Sequence, residues 1–203
     1  MKRSKILNPN QYSFTQVFGT LPQKMKIKST FLLYQLGQQT QNHIQRSKEF
    51  LALPDTILNL KVSDKSWSIL ECLEHLNLYA EYYLPEIEYR MIGNNTSTQT
   101  YFRSGIIGDY FVKSMLPKGQ LKPMKTAADK NPAGSILDRG VVKRFILKEE
   151  RLLTLLDRAS KVSLTKTRTS ISVSRLIKLR LGDTLRFVVA HNERHLQQAE
   201  RLL

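Results

Sequence analysis

Four stretches of this sequence place apolar residues at intervals of three and four, and this periodicity is the strongest constraint on the fold. They predict helices over about 24–51, 68–91, 136–160 and 183–202. The apolar side of such a helix is stable only when it is buried against another element. The sequence therefore predicts an all-α protein built as a four-helix bundle.

Local signals mark the beginnings of two of these helices and a break within one. Ser68 and Glu71 form an S-x-x-E capping box, which predicts the start of the second helix. Pro85 falls inside this helix and predicts a kink or an interruption, because proline lacks the amide hydrogen. Asp183 is the predicted N-cap of the fourth helix, because a short carboxylate can accept bonds from first-turn N–H groups.

The connections between the helices differ in length. Residues 93–135 are rich in glycine and proline, and they predict a long irregular crossover between helices 2 and 3. Residues 161–181 alternate serine or threonine with apolar or basic residues; a short strand is one interpretation, but we favour a loop packed over the bundle. Residues 1–23 predict an extended N-terminal arm. We expect one domain over residues 1–203, because this length suits a single core.

Composition narrows the function classes. The formal net charge of +15 favours acidic partners, but the basic residues are spread along the chain, and residues 158–181 combine many cations with no aromatic side chain for base stacking. A nucleic-acid partner is therefore not favoured. The single cysteine fits a reducing compartment, and no apolar segment suits a signal peptide or a bilayer span. We expect a cytoplasmic protein with no membrane partner.

Three of the four histidines are candidate metal ligands. His191 and His195 are four residues apart on the fourth helix, so both rings point the same way, and Gln198 shares that face. If helices 2 and 4 pack together, His75 can complete a set of three imidazoles with an open position, as in catalytic sites. The alternative for His75 is a core histidine bonded to a backbone carbonyl. For His43 we favour a polar residue inset in the apolar stripe of the first helix, or a half-exposed side chain, over a ligand.

Acidic and thiol side chains offer no clear catalytic group. We expect Cys72 to be a small buried hydrophobe and Glu71 to serve the capping box. Glu193 projects away from the histidine face, which predicts a place at the surface or in a salt bridge. Glu149 and Glu150 fall opposite the apolar side of the third helix. The catalytic residues are therefore unknown at this stage.

Two segments resemble the signatures of the DinB/YfiT-like superfamily. Residues 67–76 resemble its W-S-x-x-E-x-x-x-H-L motif, and residues 191–198 resemble its H-x-x-R-H-x-x-Q motif. Residues 122–124, Lys-Pro-Met, are a weaker match to a short segment before the third helix. The order and separation of these motifs agree with the family over about residues 25–203.

The resemblance implies a fold and a site. It implies a DinB-type bundle of up-down-down-up topology that holds a divalent metal through His75, His191 and His195. Nitrogen ligands suit zinc, nickel, copper or iron, and we expect zinc, nickel or iron. Gln198 is then the candidate for supporting a ligand or contacting a substrate. The resemblance also implies a homodimer. Known activities in the family include S-transfer with bacillithiol, mycothiol or glutathione, and others are proposed to be metal-dependent hydrolases.

Three hypotheses follow for function. The first is a metal-dependent enzyme that acts on a small molecule, with a low-molecular-weight thiol as co-substrate in S-transfer, ahead of hydrolysis. The second is a non-catalytic metal-binding bundle associated with stress. The third is a nucleic-acid-binding module driven by the positive charge, whose binding would weaken steeply with salt.

Overall fold

A computed structural model describes residues 26–64, 66–116 and 126–203, and it is dominated by helices. The four long helices are α1 (Ser29–Phe50), α3 (Ile69–Met91), α5 (Gly140–Ala159) and α6 (Leu181–Glu200). Two shorter helices are α2 (Asp55–Leu58) and α4 (Ile106–Met115), and a 3₁₀ turn covers Ala128–Lys130. Two small antiparallel sheets pair β1 (Lys26–Lys28) with β2 (Tyr101–Arg103), and β3 (Arg168–Ile171) with β4 (Ser174–Arg180).

The four long helices pack into a bundle. Helix α5 contacts both α1 and α3, and helix α6 contacts the same two helices. The order around the bundle is therefore α1, α5, α3, α6. Helix α1 lies diagonally across from α3, and α5 lies diagonally across from α6. This arrangement confirms the predicted all-α four-helix bundle. It also makes α3 and α6 neighbours, as the candidate metal site requires.

The capping box at the start of α3 is present as predicted. The Ser68 hydroxyl accepts from the Glu71 amide at 3.2 Å, and the Ser68 amide donates to the Glu71 carboxylate at 2.9 Å. Helix α3 then runs unbroken past Pro85, so the predicted interruption does not occur. Proline removes one backbone hydrogen bond, and burial of the flanking Leu84 and Ile87 holds the helix together across this position.

The N-cap predicted for the fourth helix is wrong. Helix α6 begins at Leu181, and Asp183 lies inside its first turn with a fully buried side chain. The Asp183 carboxylate accepts from the Ser104 hydroxyl and, at 2.8 Å, from the Gly105 amide, and it lies 3.2 Å from Arg186. Asp183 therefore fastens the crossover to α6, while its charge still suits the positive end of the helix dipole.

The crossover is more regular than predicted. It contains β2 and the helix α4, which packs against α6. Gly108 of α4 lies so close to Asp183 that a Cβ atom there would be 2.4 Å from the carboxylate. The ten-residue α4 has too few turns for its periodicity to stand out from its glycine-rich flanks.

The loop favoured for residues 161–181 is also wrong, because a β-hairpin lies there. Strands β3 and β4 pair with a register shift between Ser170 and Ile171. The Tyr82 hydroxyl of α3 donates to the Ile171 carbonyl at 2.9 Å, which ties the hairpin to the bundle. The Ser/Thr alternation therefore belongs to a strand, although three consecutive residues of β3, 169–171, are buried rather than every second one. Strand β4 leads directly into α6 and so fixes where that helix begins.

Some sequence predictions fall on other parts of the chain. The N-terminal arm over residues 1–23 and the Lys-Pro-Met segment at residues 122–124 lie outside the described residues. The single-domain interpretation of residues 1–203 stays a prediction. Within the described ranges, no helix is both long enough and apolar enough to cross a membrane.

The contact between Gly182 and Phe102 predicts a steric effect. A Cβ atom at Gly182 would lie 2.5 Å from the ring of Phe102, which is fully buried and cannot move aside freely. We expect Gly182→Ala to lower the free energy of unfolding by about 1–3 kcal/mol, measured by urea denaturation. In the control Gly37→Ala, the added methyl group meets no atom within 4 Å beyond the neighbouring residues and the backbone of its own helix. We expect that control to gain about 0.5–1 kcal/mol from better helix propensity. Equal losses in both would contradict the close approach.

Cys72 is a core residue, as predicted, and its burial predicts an inert thiol. Its side chain is fully buried, and this burial, with a smaller contribution from the Glu71 charge, raises the pKa of Cys72 to about 12. The reactive form is the thiolate. We therefore expect no reaction of the folded protein with Ellman's reagent at about pH 8, and one thiol per chain after unfolding in guanidinium. Fast reaction of the folded protein would return Cys72 to the list of candidate nucleophiles.

Candidate metal centre

Three histidines converge between α3 and α6. His75 lies in the second turn of α3, after the capping box, and His191 and His195 lie on consecutive turns of α6. Each ring offers one nitrogen, and these nitrogens all lie within 4.8 Å of one another. His75 Nε2 and His191 Nε2 are 3.1 Å apart. The structure thus brings together the three residues that the sequence singled out, and all three are buried.

The outer nitrogen of His75 is held by the backbone. His75 Nδ1 donates to the Lys130 carbonyl at 2.7 Å, at the end of the 3₁₀ turn. A carbonyl oxygen can only accept, so in the neutral ring the hydrogen is on Nδ1 and Nε2 keeps its lone pair. The carbonyl bond expected of a core histidine is therefore present. It does not compete with metal binding, since ligating histidines commonly donate their other N–H to a carbonyl.

Gln198 supports His195 from behind. His195 Nδ1 and Gln198 Oε1 are 3.0 Å apart, and donation from the ring leaves Nε2 of His195 with its lone pair. Gln198 follows His195 by three residues, so the two side chains share one face of α6. Gln198 therefore contacts the outer nitrogen of a candidate ligand, and its supporting role stays a prediction.

Burial keeps the three imidazoles neutral. Burial lowers the pKa of His75 to about 4. Burial lowers the pKa values of His191 and His195 well below the ordinary range, and the neighbouring histidines and the Arg194 charge act in the same direction. Neutral imidazole is the form that binds metals. The donor set, three neutral nitrogens with two outer N–H groups already satisfied, fits a divalent transition metal.

Aromatic rings enclose the cluster. Trp67 lies 4.8 Å from His75 and 5.7 Å from His195, measured between ring centroids. Tyr79 lies 4.8 Å from His75 and 4.5 Å from His191. Phe187 stacks on His191 at 5.7 Å. These rings lower the polarity around the nitrogens, which strengthens electrostatic interactions there.

None of the sequence-based predictions gives these aromatic residues a role in the site. Tyr79 follows His75 by four residues, and Phe187 precedes His191 by four. At that spacing, each ring lies one turn from a ligand on the same face of its helix. The helical spacing was therefore a usable signal for placing both rings beside the ligands, although apolar side chains at this spacing are equally typical of a core stripe.

Glu71 does not join the cluster. Its carboxylate accepts from the Lys61 ammonium at 2.6 Å and from the Gly134 amide at 3.1 Å, in addition to the capping-box bond. Burial alone would raise the pKa of Glu71, but the Lys61 contact and the backbone bonds lower it. Its carboxylate is thus committed to structure, as expected. Among the described residues, the cluster itself contains three histidines and no carboxylate.

The fourth histidine belongs to a separate buried network. His43 is fully buried, which agrees with a polar residue inset in the apolar stripe and excludes the half-exposed alternative. Its Nδ1 lies 3.0 Å from Glu149 and its Nε2 lies 3.1 Å from Glu193. Glu149 is 2 % exposed, so its predicted place opposite the core side of the third helix is wrong. Glu193 is buried and lies in a salt bridge with Arg46 at 2.6 Å, the second of its two expected places.

The network is charged, unlike the metal cluster. Burial lowers the pKa of His43, but the hydrogen bonds and charges of Glu149 and Glu193 outweigh this effect and raise it. Burial raises the pKa of Glu193, but His43 and Arg46 lower it overall to about 2. Carboxylates only accept hydrogen bonds, so both ring nitrogens of His43 donate and the ring is an imidazolium. Both nitrogens are therefore occupied, and His43 has no lone pair for a metal.

Comparison with known proteins places the chain in a family. The sequence profile of the DinB superfamily matches residues 39–199, which include all four histidines and most of the four long helices. No curated protein and no solved structure shows significant similarity to the chain. The match covers well over half of the sequence and agrees with the helical bundle. The chain belongs to the DinB superfamily.

Proposed function

We propose that this protein binds a divalent transition metal through His75, His191 and His195, and that the metal is the centre of an enzyme active site. The observation that carries the proposal is the convergence of three neutral imidazole nitrogens within 4.8 Å. Bonds to the Lys130 carbonyl and to Gln198 orient two of these rings. Three protein ligands leave a coordination position open, as catalytic sites do.

The surrounding residues suit the stabilisation of an anionic nucleophile. A divalent ion held there supplies Lewis acidity, which stabilises a thiolate or a hydroxide at neutral pH. Trp67, Tyr79 and Phe187 limit the access of bulk water to the histidines. The Lys130 carbonyl and Gln198 keep their histidines in the tautomer that presents a lone pair.

Within this class we propose thiol-dependent S-transfer to a small electrophile, with hydrolysis as the second choice. The cluster has no carboxylate among the described residues, and a hydrolase commonly uses such a group as general base. A net charge of +15 favours an anionic thiol. Zinc, nickel and iron all suit nitrogen ligands. A homodimer in the cytoplasm is part of the same proposal and is supported by the family resemblance and the single cysteine.

Metal content tests the ligand set. The protein is purified without a histidine tag, and bound metal is measured by mass spectrometry for the wild type and His191→Ala. We expect one ion per chain in the wild type, and its loss in the variant, because two imidazoles rarely hold an ion alone. At a free metal concentration about 100 times Kd, the wild type should also gain about 2.7 kcal/mol of stability.

The control variant for this measurement is Thr40→Val. Thr40 is also fully buried, but it lies on α1, and its hydroxyl donates only to the Leu36 carbonyl of the same helix. We expect this variant to retain its metal. If neither the wild type nor the control binds zinc, nickel or iron after reconstitution, the histidines are core residues only.

Turnover tests the enzyme class. The metal-loaded protein is assayed with bacillithiol, mycothiol or glutathione and a panel of small electrophiles, and in parallel with a panel of esters. We expect thiol-dependent product that disappears on complete chelation and returns when metal is restored. Activity that survives chelation would contradict the proposal. Metal binding without turnover would favour the non-catalytic metal-binding bundle.

A further inference from the structure

The buried charged network lies on the side of α6 opposite the metal cluster. An α-helix has 3.6 residues per turn. Glu193 and Glu200 therefore project from the side of α6 that faces away from His191 and His195. Both carboxylates contact Arg46 of α1, at 2.6 Å in each case. The helix that carries two of the three candidate ligands is thus fastened by charged contacts along its opposite side.

His43 connects three helices through a single ring. It lies on α1, and its two nitrogens contact Glu149 of α5 and Glu193 of α6 at 3.0 and 3.1 Å. Asn192, which lies between the two candidate ligands in sequence, donates to the other oxygen of Glu149 at 2.7 Å. Because every one of these groups is buried, a shift of α6 would leave charges without partners, which is costly.

Arg46 adds a constraint along the helix axis. Its Nη1 donates to Glu193, and its Nε and Nη2 donate to the two oxygens of Glu200 at 2.6 and 2.8 Å. Glu193 and Glu200 are seven residues apart, or about two helical turns. A planar guanidinium that holds both carboxylates fixes the position and the rotation of α6. A slip of one residue would turn α6 by about 100° and carry both histidines away from His75.

We propose that His43 is a positioning residue for the metal centre, and that together with Arg46 it holds α6 in the rotation that directs His191 and His195 toward His75. This inference rests on the proposed function, because it concerns the affinity and geometry of the bound ion. His43 acts through α6 and does not touch the ion. Residues that orient metal ligands commonly change metal affinity by about 10–100-fold.

Binding of Co²⁺ tests the positioning role, because the visible absorption of the bound ion depends on ligand geometry and not on the free energy of unfolding of the protein. Co²⁺ is bound to the wild type, His43→Gln, His43→Leu and the control Thr40→Val. The visible absorption of the Co²⁺ form reports ligand geometry, and competition with a chelator gives Kd. We expect both His43 variants to show an altered band and a Kd at least about 10-fold higher. Thr40→Val loses a buried hydrogen bond on the same helix and should keep the wild-type band and Kd.

The experiment also covers the case in which a His43 variant does not fold. Circular dichroism identifies the folded variants, and His43→Gln keeps one donor for a carboxylate. Should both His43 variants unfold, Arg46→Gln tests the same restraint on the rotation of α6, because Arg46 also binds Glu193. Its side chain is 17 % exposed, and this substitution leaves His43 in place. An unchanged band and Kd in the folded variants would overturn the inference.

The same experiment separates this inference from the proposal on which it rests. The proposed metal site itself is wrong if the wild type binds no Co²⁺, or if His191→Ala binds Co²⁺ as tightly as the wild type does. A wild type that binds Co²⁺ through the three histidines, together with unaffected His43 and Arg46 variants, defeats only the positioning role.

Discussion

Helix α6 is buried on every side, and the need to satisfy its polar side chains organises the rest of the structure. Every residue from Leu181 to Leu196 is buried, although this stretch carries acids, bases and amides. A buried polar group is costly unless it is hydrogen-bonded, and a buried charge needs an opposite charge. Each surrounding element therefore supplies partners: the crossover for Asp183, α5 for Asn192, α1 for Glu193, and α3 for His191.

The elements outside the four long helices (β2, α4 and the β3–β4 hairpin) also serve to hold α6 and to pair its buried polar side chains. The segment that contains β2 and α4 delivers Ser104 and the Gly105 amide to Asp183, and Gly108 allows the close approach. Strand β4 ends where α6 begins, so the hairpin sets the first residue of the helix. The crossover and the hairpin thus hold the beginning of α6, while Arg46 holds the side of α6 that faces away from the metal cluster.

The sequence predicted the elements whose signals are local. Apolar periodicity located the four long helices, the S-x-x-E pattern located the start of α3, and the four-residue spacing of His191 and His195 gave a shared face. These signals act within one or two turns of helix, so one stretch of sequence contains them. The burial of Asp183 was not predicted because its partners lie in the crossover, about eighty residues earlier in the chain. No pattern near Asp183 in the sequence indicates that contact.

The same limit explains why the burial of Glu149 was not predicted, and why the sequence left His43 as either inset or half-exposed. Each is a polar residue in a helix, and such residues are usually exposed. Their burial is stable because they meet each other and Glu193, across separations of 106 and 150 residues. Pairing of this kind depends on how α1, α5 and α6 pack, which no single helix encodes. The convergence of His75 with His191 also depends on packing, and it was anticipated only on the condition that α3 and α6 are neighbours.

The four histidines show how partners decide the role of one residue type. His75 meets a carbonyl and His195 meets an amide oxygen, each of which takes one N–H and leaves the second nitrogen with a lone pair. His43 meets two carboxylates, which take both nitrogens and favour the cation. Burial opposes the charged form in all three, so the partners make the difference. The bundle thus keeps a neutral, metal-competent cluster on one side of α6 and a closed ionic network on the other. A single helix can serve both because its two sides face different helices.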